Sequence, residues 1–304
     1  MVRKIFKHTV IVFIIILTGQ SVFAASQVTV FVSINPQKYF VQQIGKDLVD
    51  IRVMVAAGAS PATYEPRPQQ MADLNTARVY FAIGVAFENA WLDKISAVNP
   101  GMKVVHTDNG IRKIPMAVHH HPDQAGRDYR EENHYDADGG GGSGLDPHIW
   151  LSPPLVKIQA RAILTALQDI DPGHQDSYTA NYHQFIERID ELDADLKQTF
   201  AGQQDLQFMV FHPAWGYFGR AYGLQQVPIE IEGKSPKPAR LKALIEHARE
   251  KGIKVIFVQP QFSSKSAELV AREIGGQVAY ADPLAEDWLA NLTAVAHRFK
   301  AALK

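Results

Sequence analysis

The sequence contains no cysteine. That excludes disulfides, thiolate zinc sites, iron–sulfur clusters and thiol catalysis. It also excludes a lipid-modified cysteine behind an export leader. Any metal centre must therefore be built from nitrogen and oxygen ligands. The chain has no long basic run and a formal net charge of −1, a balance that argues against a nucleic-acid partner. Beyond residue 24 no apolar stretch reaches the roughly 20 residues a membrane-spanning helix needs. There is no H-E-x-x-H of the zinc peptidases. Gly139, Gly141 and Gly144 spell G-x-G-x-x-G, but no strand leads into them and no helix follows, so a dinucleotide site is rejected.

What is present begins with an export leader. Arg3, Lys4 and Lys7 precede an apolar run from Val10 to Leu17, and Val22-Phe23-Ala24 supplies the small residues a signal peptidase reads. The pattern predicts a cleaved secretory signal over 1–24 and a soluble, exported, mildly acidic remainder. At 304 residues, 46% hydrophobic and 21% charged, that remainder has the balance of an ordinary globular protein of two domains or one large one.

Its grammar is α/β. Strands are expected at Val28–Val32, Val49–Ala57, Arg78–Gly84 and Met102–His106. Helices are expected from Pro36 to Gly45, Pro66 to Ala77 and Glu88 to Val98. Alternation of this kind implies a parallel sheet with helical crossovers. Val156, Ala160, Ile163, Leu167 and Ile170 then repeat at helical spacing, and Asp171-Pro172-Gly173 stops that helix. A longer stripe through Tyr178, Tyr182, Phe185, Ile189, Leu192 and Leu196 predicts a helix over 176–200. At about 1.5 Å per residue it would be about 37 Å long, the length of a strut between two lobes. The second half repeats the strand–helix alternation, with strands at Phe208–Phe211, Gln226–Ile231, Val255–Val258 and Val278–Ala281. The expected division is an N-terminal α/β lobe over 25–170, a linking helix over 171–205 and a C-terminal α/β lobe over 206–304. The fold class is two parallel-sheet lobes joined by one long rigid helix, with a metal cleft between them.

Candidate chemistry centres on Asp146-Pro147-His148-Ile149-Trp150-Leu151-Ser152-Pro153. His148 is held between a proline and large apolar residues. Ahead of it, over 116–143, lies a polar stretch without periodicity that carries His119, His120, His121 and His134. Five of the chain's 12 histidines fall between His119 and His148, and neutral imidazole is the commonest protein metal ligand. His212 and Asp282 each follow an expected strand and precede a proline, which places both at the carboxyl ends of a sheet, where such folds bind ligands. Two imidazoles and a carboxylate suit Zn²⁺, and also Mn²⁺ or Fe²⁺. Each residue alone also has an ordinary reading, Asp282 as a helix cap and His212 as a satisfied core histidine.

Taken in order, these segments resemble the zinc and manganese periplasmic solute-binding receptors of ABC importers. Asp146–Pro153 matches that family's central motif. Phe211-His212-Pro213-Ala214-Trp215-Gly216-Tyr217-Phe218 is similar to its second histidine segment, with Tyr222-Gly223-Leu224 following. Ile231-Glu232-Gly233-Lys234 and Asp282-Pro283-Leu284 match two further family segments. The His-rich stretch is typical of the zinc-specific branch. The resemblance implies a periplasmic monomer that performs no catalysis. It would capture Zn²⁺ with His148, His212 and Asp282 and hand it to an inner-membrane permease. One departure stands out: the family pattern Pro-His-x-Tyr-Glu-Pro here reads Pro61-Ala62-Thr63-Tyr64-Glu65-Pro66, and the methyl group of Ala62 binds no metal. Water, a histidine from His119–His121 or His134, and Glu65 are the candidates for the vacated position, in that order. Two rival functions use the same residues. An exported zinc hydrolase would use the open position, with Glu65 or Glu232 as base. A periplasmic metal buffer would have the His-rich stretch as its main site.

Overall fold

The computed structural model describes residues 27–117, 144–203, 206–230 and 236–303. The expected signal over 1–24, His119, His120, His121, His134 and Glu232 lie outside the described residues. Among the described residues no helix is long and apolar enough to cross a membrane.

The first lobe is built from β1 (Val28–Val32), α1 (Asn35–Gly45), β2 (Val49–Val53), α2 (Pro68–Asp73), β3 (Val79–Ala82), α3 (Ala86–Val98) and β4 (Lys103–His106). Its four strands are parallel, in the order β2-β1-β3-β4. β3 is buried along its whole length, as a strand covered on both faces must be. Two elements are shorter than their sequence patterns. β2 ends at Val53, although Met54 and Val55 still donate to Val32 and Ser33, because the chain then turns toward Gly58, whose φ of +79° lies in the left-handed region. The helix expected to reach Ala77 gives way at Leu74 to a 3-10 turn. There the Asn75 and Thr76 side chains donate to the Ala72 and Asp73 carbonyls, the local competition typical of such residues.

Two helices follow. α4 (Pro153–Ile170) starts on a double proline and buries Val156, Ala160, Ile163 and Leu167. α5 (Gln175–Thr199) is 25 residues long and buries Tyr178, Phe185, Ile189, Leu192 and Leu196. The second lobe contains β5 (Leu206–Val210), α6 (Gly216–Tyr222), β6 (Leu224–Pro228), α7 (Pro238–Glu250), β7 (Val255–Val258), α8 (Lys265–Glu273), β8 (Gln277–Tyr280) and α9 (Trp288–Ala302). Its parallel sheet has the order β6-β5-β7-β8, which places the purely apolar β7 inside, where its composition predicts.

α5 grips both lobes. Asn181 donates to the Ile44 carbonyl, and Arg188 donates to Gln43 and Tyr39 on α1. Further along, Asp193 accepts from Tyr222 of the second lobe, and Phe200, just past the helix end, packs edge-on against Phe218. One apolar core runs without a break from Val30 of β1 to Phe299 of α9. A second cluster, around Met209, Leu244 and Val270, covers the other face of the C-terminal sheet.

Two tryptophans close the contact between the lobes. Trp150 Nε1 donates to the Pro283 carbonyl at 2.7 Å, and Trp288 Nε1 donates to the Trp150 carbonyl at 2.6 Å. The Trp288 ring also stands edge-on to Phe40 of α1, with centroids 5.2 Å apart. A chain whose lobes were joined only by polar contacts would be expected to hinge; here the junction is part of the core. Trp288→Ala should therefore lower the free energy of unfolding by about 3–5 kcal/mol, read from the shift in a chemical denaturation midpoint. An unchanged midpoint would mean that the two lobes do not share their stability.

Candidate metal centre

In the C-terminal lobe each strand carries a polar residue shortly past its carboxyl end. These are His212 after β5, Glu230 after β6, Gln259 after β7 and Asp282 after β8. Three of the four form one unit. Gln259 Oε1 accepts from the His212 backbone N–H, and Gln259 Nε2 donates to the His212 carbonyl. Glu230 Oε1 accepts from His212 Nδ1 at 2.5 Å. The imidazole is also stacked on the Phe262 ring, with centroids 4.8 Å apart.

His148 arrives from the other side, in the segment that leads into α4. Asp146 Oδ1 accepts from both the backbone N–H of His148, at 2.9 Å, and its Nδ1, at 2.7 Å. Asp146 is fully buried. Its own backbone carbonyl accepts from Tyr217 of α6, so the second lobe fixes the segment that carries the first histidine. A 3-10 turn over Ile149–Leu151 follows, all three residues buried.

The consequence is chemical. A carboxylate can only accept, so each Nδ1 must carry the proton. Each Nε2 is then left with a bare lone pair. The two Nε2 atoms face one another at 3.3 Å. Two lone pairs at that distance repel unless a cation lies between them. A tetrahedral ion with bonds of ~2.0–2.1 Å spaces two nitrogen ligands about 3.3–3.4 Å apart. Burial, above all, lowers the His212 pKa. The Glu230 hydrogen bond works against it, and His148 adds to the lowering. His212 is thus biased to the neutral form that binds metal.

Asp282 is placed differently. Its Oδ1 accepts from Gln261 Nε2 and from the Leu284 backbone N–H, both at 2.9 Å. It borders a small recess beside Gly58, whereas His148 and His212 line a separate cavity of about 510 Å³. Gln261 borders both spaces. Among the described residues no three His, Asp or Glu side chains gather closely enough to hold an ion. Ala62 lines the cavity of the two histidines. Glu65 is exposed and is not part of that wall.

Asp146 and Glu230 are the two acids at this site that the sequence alone does not mark as functional. Asp146 had a signal, standing two residues before the histidine inside the same motif. Glu230 had a weaker one, as an acid past the end of an apolar strand; only the pairing of β5 with β6 brings it to His212.

Comparisons with known proteins bear on the family and the fold. A family model described as ZnuA, zinc-uptake complex component A, periplasmic, matches residues 30–302. A crystal structure of ZnuA superposes with a TM-score of 0.81 at 41% identity, covering 91% of this chain and all of that one. The high-affinity zinc uptake system protein ZnuA of Bacillus subtilis is 27% identical over 80% of this chain and 74% of its own length. The zinc-binding protein AdcA of Streptococcus pyogenes is 26% identical over 88% of this chain, which spans only 52% of that protein. With residues 30–302 matched, the chain belongs to the ZnuA family of periplasmic zinc-uptake components.

Proposed function

We propose that the protein is a periplasmic receptor that captures Zn²⁺ between Nε2 of His148 and Nε2 of His212 and delivers it to an ABC-type permease in the inner membrane, without catalysis. The observation that carries this reading is the pair of opposed lone pairs at 3.3 Å, each backed by a carboxylate. Asp282 is the proposed third ligand. Its Oδ1 is held by Gln261 and the Leu284 N–H, so the carboxylate would have to reorient to reach the ion. Zinc is preferred to manganese or iron because nitrogen ligands already supply two positions, and because the relatives named above are zinc proteins.

Replacing both His148 and His212 with Ala should abolish tight zinc binding in calorimetry of the metal-free chain; zinc bound as tightly as before would refute the ligand assignment. Glu230→Gln should weaken zinc binding about 10–100-fold, the usual cost of losing a carboxylate behind a ligand histidine, with little change in thermal unfolding of the metal-free protein. Ala62→His adds an imidazole to the wall of the same cavity and should tighten zinc binding. A competition titration against a chromophoric chelator measures the gain, and no gain would mean that the Ala62 corner does not face the ion.

A further inference from the structure

An ion needs far less space than this cavity offers. Its volume of about 510 Å³ falls in the range of roughly 300–1,000 Å³ typical of sites for small organic molecules. A water molecule takes about 30 Å³ of the liquid, so among the described residues a hydrated ion would fill only part of the chamber. Trp150, Phe262, Leu145 and Met116 give it apolar walls. Among the described residues one wall residue is cationic, Lys113.

Lys113 is held in place. Its ammonium pairs with Asp108 Oδ2 at 2.6 Å, and its side chain is 17% exposed. It lies over Gly84, another wall residue, so closely that a Cβ built there would come within 2.1 Å of Nζ. Gly84 has a φ of +82°, and Glu88 pins its backbone N–H at 2.7 Å. The glycine is thus required twice, by its conformation and by the ammonium above it. Asp108 uses one of the three donors of the ammonium. Asp108 also balances its charge, so what the wall offers is the ammonium's remaining N–H donors rather than a net positive field. Those donors suit a carboxylate that arrives with the ion.

We propose that the chamber receives the cation as a chelate with a small amino acid-type ligand, whose nitrogen binds the ion at the corner beside Ala62 and whose carboxylate binds the ammonium of Lys113. The proposal rests on His148 and His212 being the protein's ligands to the ion. The apolar walls would enclose the carbon frame of the chelator, and the missing histidine at position 62 becomes the vacancy through which the chelator's own nitrogen binds.

Equilibrium dialysis of the full chain with radiolabelled L-histidine as probe, with and without equimolar zinc, tests it. The expected result is about one histidine retained per chain together with zinc, and none without zinc. Lys113→Met should keep zinc but weaken retention of histidine roughly ten- to a hundredfold, the worth of one hydrogen bond to a charged group. Lys113→Arg should restore it. Zinc retained by the wild-type chain with no histidine overturns the chelate while leaving the two-histidine site standing. Equal retention of histidine by the Met variant overturns the role of Lys113. Failure to retain zinc under either condition overturns the underlying site and the chelate with it.

Discussion

Two neutral imidazoles brought nose to nose form an unfavourable contact on their own. Each Nδ1–H is given to a buried carboxylate, Asp146 or Glu230, which leaves two lone pairs directed at one point 3.3 Å across. This preorganisation is what most of the molecule maintains. His212 is locked by Gln259 at its backbone and by Phe262 on its face. His148 is locked by Asp146 at both its backbone and its ring. Neither ring can turn away to relieve the repulsion without losing a hydrogen bond to a buried acid, a loss of about 1.5–3 kcal/mol for a charged partner.

Such a spacing survives only if the lobes that carry the two rings do not drift. The junction provides this. Trp150 stands two residues after His148 and donates to Pro283, one residue after Asp282. Trp288 returns a hydrogen bond to Trp150 from the start of α9 and packs on α1. Tyr217 ties α6 to the Asp146 carbonyl and also accepts from the Ile114 N–H. The same short motif therefore supplies the proposed ligand His148, the acid that orients it and the indole that fastens the lobes together. α5 then spans the back of the molecule, bonded to α1 at Asn181 and Arg188 and to α6 at Asp193. A continuous core between the lobes favours a receptor that changes its cleft locally rather than by wide closure.

Much of this was legible in the sequence, for physical reasons that differ from element to element. Strands buried on both faces, such as Val79–Ala82 and Val255–Val258, write themselves as apolar runs. The stripe from Tyr178 to Leu196 has the period of one helix face, and its residues are buried as expected except Tyr182, which is only partly buried. His148 and His212 were readable because each stands beside a proline in a segment whose neighbours must be buried. Element ends were less so, since ladder bonds and 3-10 turns at Met54 and Leu74 depend on what lies alongside. Glu230 was hidden for a different reason. It is 18 residues from the ring it holds, and only the order of the strands makes them neighbours. Asp282 was readable as a residue past the end of a strand, but not in its hydrogen bonds to Gln261 and Leu284.

Charge supports the proposal that a cation binds at this point. Asp146 and Glu230 are almost completely buried. Each has a second oxygen, Oδ2 and Oε2, that is buried with no hydrogen-bond partner among the described residues. Two buried anionic groups so incompletely satisfied are costly, and neutral imidazoles in front of them remove none of their charge. A dication between the rings, as proposed, would balance the two carboxylates through the imidazoles and supply the countercharge that these two acids lack. On the same reasoning, moving Asp282 onto the ion would bring one negative charge more than neutrality requires. Its carboxylate already has two donors at 2.9 Å. It would be a more readily released ligand than either histidine, as a receptor that must surrender its cargo requires.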